Sequence, residues 1–81
     1  MIALSERTRI ALDRLPEGTK SRFGQIVGEI DARRAARSGD RKVQGSDSWI
    51  ARLDDNLRLV YRATATGVYV EDVLDRTRYP A

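Results

Sequence analysis

Hydrophobic periodicity in this chain changes once, near Gly45, and that change sets the fold class. Before it, apolar residues recur at helical spacing. Leu4, Ala11, Leu12 and Leu15 form one such set, and Phe23, Ile26, Val27 and Ile30 follow the i, i+3, i+4, i+7 pattern of a single buried face. After it, apolar residues alternate. Trp49, Ala51 and Leu53 are separated by Ile50 and Arg52, Leu57, Leu59 and Tyr61 by Arg58 and Val60, and Val68–Leu74 is a valine-rich third segment. The pattern predicts an α+β fold: an N-terminal helical hairpin packed on a C-terminal antiparallel β-meander of three to four strands.

Element ends can be read from local chemistry. Ser5 is the N-cap of the first helix, with Glu6 in the first turn where the helix dipole favours an anion, and Pro16 stops that helix. The second helix starts near Glu17–Thr19 and is expected to end near Ser38–Gly39. That end would place Arg33, Arg34 and Arg37 at the negative pole of the dipole, as a solvated helix terminus rather than an RNA-binding patch. Met1–Leu4 looks too short for a full first strand. Asp54-Asp55-Asn56 and Thr64–Gly67 are turns.

Turn lengths then fix a register. A three-residue loop at Asp54–Asn56 sets Leu53 opposite Leu57, Arg52 opposite Arg58 and Trp49 opposite Tyr61. A four-residue loop at Thr64–Gly67 sets Tyr61 opposite Val70 and Leu57 opposite Leu74. One face gathers Trp49, Ala51, Leu53, Leu57, Leu59, Tyr61, Val68, Val70 and Leu74, with Asp72 alone out of place. This face should lie under the helices, with Trp49 a core residue rather than a stacking platform for a base.

Composition bounds the function. Eighty-one residues suit one domain spanning 1–81, and a domain of this size buries only about 60–65% of its unfolded surface, so a partner matters to it. With 41% hydrophobic and 33% charged residues, no apolar run approaches the roughly 20 needed to span a bilayer. Charges interrupt Met1–Arg9, which does not read as a signal peptide, so a cytoplasmic location without membrane attachment is expected. Cysteine and histidine are both absent, which removes disulfides, thiolate metal sites and the commonest general base; no cofactor is expected. The net charge is +3, and all basic residues but Lys20 and Lys42 are arginine. That bias suits bidentate contact with phosphate or carboxylate, and GC-rich codon usage would also produce it.

The second sheet face carries Ile50, Arg52, Arg58, Val60, Arg62, Tyr69, Glu71 and Val73. Arg52 directly opposite Arg58 is a destabilising like-charge pair. Either a carboxylate, such as Glu71 or Asp72, sits between them, or an anionic ligand does. A phosphodiester backbone is one such ligand, with Arg76, Arg78 and Tyr79 supplied from the end of the third strand.

The stretch from Trp49 through Arg52, Asp54-Asp55-Asn56 and Arg58-Leu59-Val60-Tyr61 resembles the core motif of the RelE/ParE toxin superfamily, most nearly its RelE/YoeB-type mRNA endoribonucleases. In that motif an aromatic residue, a basic strand, a short polar turn and an "R-L-V-Y" strand follow in this order. Val43-Gln44-Gly45 is similar to the family's "L-x-G" approach to the sheet, and Leu15-Pro16 between two helices fits as well. The resemblance implies the toxin of a type II toxin–antitoxin system: a ribosome-dependent nuclease that inhibits translation and forms a hetero-oligomer with a cognate antitoxin. It carries Arg58 over to the family's phosphate-binding arginine and Arg52 to a basic residue of the preceding strand. Arg76 and Tyr79 become the equivalents of the residues after the last strand. Departures are specific: the histidine often found near that arginine is missing, Ile50 and Ala51 stand where many relatives place basic residues, and Asp40 is the nearest acid to the end of the linker.

The implied reaction is metal-independent attack of a 2′-hydroxyl on the adjacent phosphate. Arg52 and Arg58 would stabilise charge on the phosphoryl oxygens, Arg76 or Tyr79 would protonate the leaving oxygen, and the base is open. Two alternatives stand beside it: a non-catalytic binding module of the same fold, which the missing histidine favours, and a ParE-like gyrase inhibitor.

Overall fold

The computed structural model describes residues 1–77. Strand β1 (Ile2–Leu4) leads into helices α1 (Glu6–Asp13) and α2 (Glu17–Arg33). Strands β2 (Arg41–Lys42), β3 (Trp49–Arg52), β4 (Leu57–Thr64) and β5 (Gly67–Asp75) follow. The sheet order is β1-β5-β4-β3-β2. The fold is α+β as expected, with a five-stranded mixed sheet rather than a purely antiparallel meander of three to four strands. Met1–Leu4 is the reason. Three residues suffice because β5 offers a whole edge: Ile2, Ala3 and Leu4 run parallel to Val68, Tyr69 and Val70, and the Ser5 N–H extends the pairing to the Val70 carbonyl at 2.9 Å.

Ser5 is the N-cap of α1, its Oγ accepting the Thr8 N–H at 3.0 Å. Pro16 lies between the helices and caps α2. That helix stops at Arg33, short of the Ser38–Gly39 end expected from sequence. Arg34 adopts a left-handed conformation (φ 54°) and donates its N–H to the Ile30 carbonyl at 2.7 Å. The buried stripe Phe23, Ile26, Val27, Ile30 explains the stop, since its next positions are Arg33, Arg34 and Arg37, whose charges do not continue an apolar face.

The β3–β4 register is as expected, with Trp49 opposite Tyr61 and Arg52 opposite Arg58. Along β4–β5 the expected pairing holds from Thr64–Gly67 to Tyr61–Val70, and then a bulge at Glu71 shifts it by one. Beyond the bulge, Asp72 faces Val60, Val73 faces Leu59 and Leu74 faces Arg58; Leu57 lies opposite Asp75, not Leu74. The bulge resolves the misplaced acid. It turns Asp72 off the core face, brings Val73 onto it, and sends Leu74 to the opposite face. Helix α1 holds the bulge in place: Ser5 Oγ donates to the Glu71 carbonyl at 2.7 Å and Thr8 Oγ1 to the Val70 carbonyl at 3.2 Å.

Both helices lie against β5. The core joins Phe23, Ile26, Val27 and Ile30 of α2 to Ala51, Leu53, Leu59, Tyr61, Val68 and Val70 of the sheet. Trp49 touches this core but is only half-buried, because the two-residue β2 beside it covers little. No helix among the described residues is long and apolar enough to cross a membrane.

Candidate functional site

Arg52 and Arg58 face each other across β3 and β4, and the fold separates their charges by giving each a different partner. Arg52 is exposed and pairs with Asp55 of the following turn at 2.6 Å. Arg58 is half-buried and makes no ion pair with any described residue. Its Nη1 donates to the Asp54 carbonyl at 2.8 Å and the Leu57 carbonyl at 3.0 Å. Asp54 presents that carbonyl because its own Oδ1 accepts the Asn56 and Leu57 N–H groups, both at 2.8 Å, which shapes the turn. Two carbonyls therefore aim the Arg58 guanidinium. Its Nε and Nη2 edge, the edge suited to two oxygens of one anion, carries no hydrogen bond among the described residues.

The carboxylates that could have sat between the arginines are used elsewhere. Glu71 accepts from Ser48 Oγ at 2.6 Å and pairs with Arg62 at 2.9 Å, while Asp72 meets Arg7 at 3.3 Å. Arg62 also lies 5.2 Å above the Tyr69 ring centroid. Charge on this part of the outer face is internally matched. Around Arg58 it is not.

Two open depressions meet at Arg58, sharing Arg41 and Ile50. One, of about 350 Å³, runs past Arg22 of α2, Arg52 and residues 37–40 of the α2–β2 linker. The other, of about 470 Å³, is bounded by Lys42, Val43, Leu74 and Arg76. Arg76 is held there by its backbone, whose N–H donates to the Asn56 carbonyl at 2.7 Å and ties the end of β5 to the β3–β4 turn. Of the site residues expected from sequence, Arg52 lines the first depression with Arg58 and Arg76 lines the second with Arg58, while Arg78 and Tyr79 lie outside the described residues. Arg22, Arg41 and Lys42 join them and form no ion pair across this site among the described residues. Nothing in the helical pattern marks Arg22, although the adjacent Arg41-Lys42 pair at the entry to the sheet was a signal to follow.

The linker is fixed by Tyr61. Its fully buried hydroxyl donates to Asp40 Oδ2 at 2.6 Å and accepts the Arg37 N–H at 3.1 Å. Burial, reinforced by the Asp40 carboxylate that holds its proton, pushes the Tyr61 phenol far above its ordinary range, so it stays protonated. Asp40 is itself nearly buried and has Arg37 at 3.7 Å as its ion-pair partner. Tyr61→Phe should therefore cost about 1–3 kcal/mol in a urea titration, because a buried carboxylate loses its donor. A raised folded-state value contributes stability that is complete below the unfolded value and is lost as pH climbs above it. Wild type should therefore lose stability above the ordinary phenol value of 10.0, and Tyr61→Phe should flatten that loss.

No protein-family model and no curated protein matches the chain. Solved structures do. The RelB–RelE antitoxin–toxin complex of Methanococcus jannaschii aligns over 95% of this chain and 93% of the matched chain, with TM-score 0.76 and 15% identity. The fold is that of the RelE-type toxins. The RelBE toxin–antitoxin complex of E. coli aligns over 93% and 94%, with TM-score 0.76 and 19% identity. The YoeB–YefM complex of Staphylococcus aureus aligns over 90% and 92%, with TM-score 0.75 and 12% identity. At such identities the likeness is one of backbone architecture. In this RelE-type fold the sheet carries the unmatched arginines on the side away from its helix-covered core.

Proposed function

We propose that this chain is the toxin of a type II toxin–antitoxin pair and cuts messenger RNA on the ribosome. One observation carries the reading: Arg58, aimed by two carbonyls and free of carboxylates among the described residues, stands where two cation-lined depressions meet. Such a group matches a phosphodiester, whose non-bridging oxygens accept two parallel N–H bonds. The RelE-type fold and the antitoxin complexes named for its structural neighbours support the same reading.

In the reaction, the 2′-hydroxyl gives its proton to water as its oxygen attacks the adjacent phosphorus. The P–O5′ bond breaks, the leaving 5′-oxygen takes a proton from water, and the products are a 2′,3′-cyclic phosphate and a 5′-hydroxyl. Arg58 donates to the phosphoryl oxygens as their charge grows, and Arg52 and Arg76 add positive potential. Asp40 is occupied by Tyr61 and Arg37 and does not serve as the base. With no histidine in the chain, its contribution is electrostatic and positional, and the ribosome supplies alignment of the RNA. The cognate antitoxin is an acidic segment laid over the Arg52/Arg58 face or the helical hairpin.

The missing histidine favours a second reading, in which the same face binds a partner without cleavage. Growth separates the two. Induced expression of wild type should arrest growth and expression of Arg58→Ala should not. A wild-type chain that is monomeric, folded and harmless at high expression would reject the toxin reading.

A further inference from the structure

The bulge at Glu71 has a consequence for the site. Without it, Leu74 would lie on the core face with Leu57. With it, Leu74 lies opposite Arg58 on the outer face, and Val73 takes the place in the core. A half-buried leucine on a face rich in arginine has lost core packing, and bulges recur where a side chain must be re-aimed beside a site. Here Leu74 completes an apolar floor with Val43 and Ile50, and Arg41, Lys42, Arg58 and Arg76 rim that floor. The depression beyond Arg58 and Arg41 differs. Apart from the shared Ile50, polar, charged and glycine residues line it.

We propose that the depression floored by Val43, Ile50 and Leu74 seats one nucleobase of a single-stranded RNA, whose flanking phosphates lie on Arg58 and on the Arg22/Arg41/Arg52 side. It deepens the RNA-binding reading of this face and rests on it. A nucleotide joins a base with apolar faces to a charged backbone on one edge, and the pair of depressions repeats that division: an apolar floor inside a cationic rim on one side of Arg58, a polar and charged lining on the other. An apolar floor accepts any base by its face, so the seat selects for the presence of a base more than for its identity. A sugar–phosphate chain without a base would satisfy the rim and leave the floor wet.

The test is equilibrium binding of the full chain to a six-nucleotide single-stranded RNA and to a set in which each position in turn is abasic. Wild type should lose roughly fivefold to tenfold in affinity at one position, the loss expected for a few tens of Å² of apolar burial. Leu74→Asn, which keeps side-chain size and charge, should flatten that penalty to less than about twofold while the salt dependence of binding stays unchanged, since no phosphate contact is removed. Ile50→Thr, a β-branched polar replacement, should do the same and serves if Leu74→Asn folds poorly. Salt-dependent binding with equal affinity for every abasic oligomer would overturn the base seat and leave RNA binding standing. The absence of any salt-dependent RNA binding would overturn both. A penalty that persists in both variants, with loss of binding to an acidic amphipathic peptide, would assign the floor to a protein partner instead.

Discussion

Arg58→Ala should lower ribosome-dependent mRNA cleavage by roughly 10²–10³-fold, the usual effect of losing one donor aimed at transition-state charge. Its backbone is held on both sides, by β3 and by β5, so the side chain starts from a rigid base. The two carbonyls on Nη1 fix the rest of the guanidinium. Folding stability should stay within about 1 kcal/mol of wild type. Truncation removes two hydrogen bonds to carbonyls, but the Leu57 carbonyl keeps the Leu53 N–H at 3.0 Å. It also removes a repulsion with Arg52 that Asp55 already offsets. A large kinetic effect with a small stability effect is the signature sought. Cleavage assays at equal folded concentration, with urea titrations of both proteins, measure the two terms separately. Arg58→Lys should recover little, because an ammonium cannot make the bidentate contact.

Gly67→Ala should be the most damaging small substitution in the fold, costing about 3 kcal/mol and lowering Tm by roughly 10–20 °C. Gly67 opens β5 with φ at +151°, a conformation L side chains rarely adopt, and a Cβ there would collide with the Met1 carbonyl oxygen and the Asp31 carboxylate. The Met1 carbonyl is the acceptor for the Val68 N–H at 3.1 Å, so relieving the collision pulls β1 away from β5. Leu4 would leave the core edge with it, and Ser5 would no longer be held against Val70 and Glu71. Gly24→Ala is the contrast. It sits in α2 with nothing within 4 Å of the added carbon, and it should raise stability by about 0.5–1 kcal/mol through helix propensity. Thermal melts of the two variants, one on either side of wild type, check the assignment.

The α+β class, the α1 cap at Ser5, the α2 stripe and the β3–β4 pairing all follow from period and turn chemistry, which act within a few residues. Three features did not. The parallel β1 depends on the far edge of β5, which no local pattern in Met1–Leu4 announces. Helix α2 ends earlier than the good helix propensity of arginine suggests, because its apolar stripe has no continuation after Ile30. The bulge was visible only as a discrepancy, an aspartate on an apolar face. Alternation alone could not say whether Asp72 is tolerated or the strand is re-phased; Ser5 and Thr8, 66 and 62 residues away in sequence from Glu71 and Val70, decide it. For the site, Arg52 and Arg58 were legible because their turn is only three residues long. Arg22 was not: the Arg41-Lys42 pair is visible in the sequence, but its meeting with Arg22 follows the path of the linker, which depends on Tyr61 and Asp40 meeting across the fold.

The ends of the cut RNA test the central claim most directly. Purified chain would be mixed with ribosomes carrying a defined messenger, and the fragments analysed beside a messenger with one 2′-deoxy residue at the cleavage position. The proposed reaction gives a 2′,3′-cyclic phosphate and a 5′-hydroxyl on the ribosome-bound message, and no cut at the deoxy residue. An intact message with folded wild-type chain in excess, or fragments ending in 3′-hydroxyl and 5′-phosphate, would contradict it.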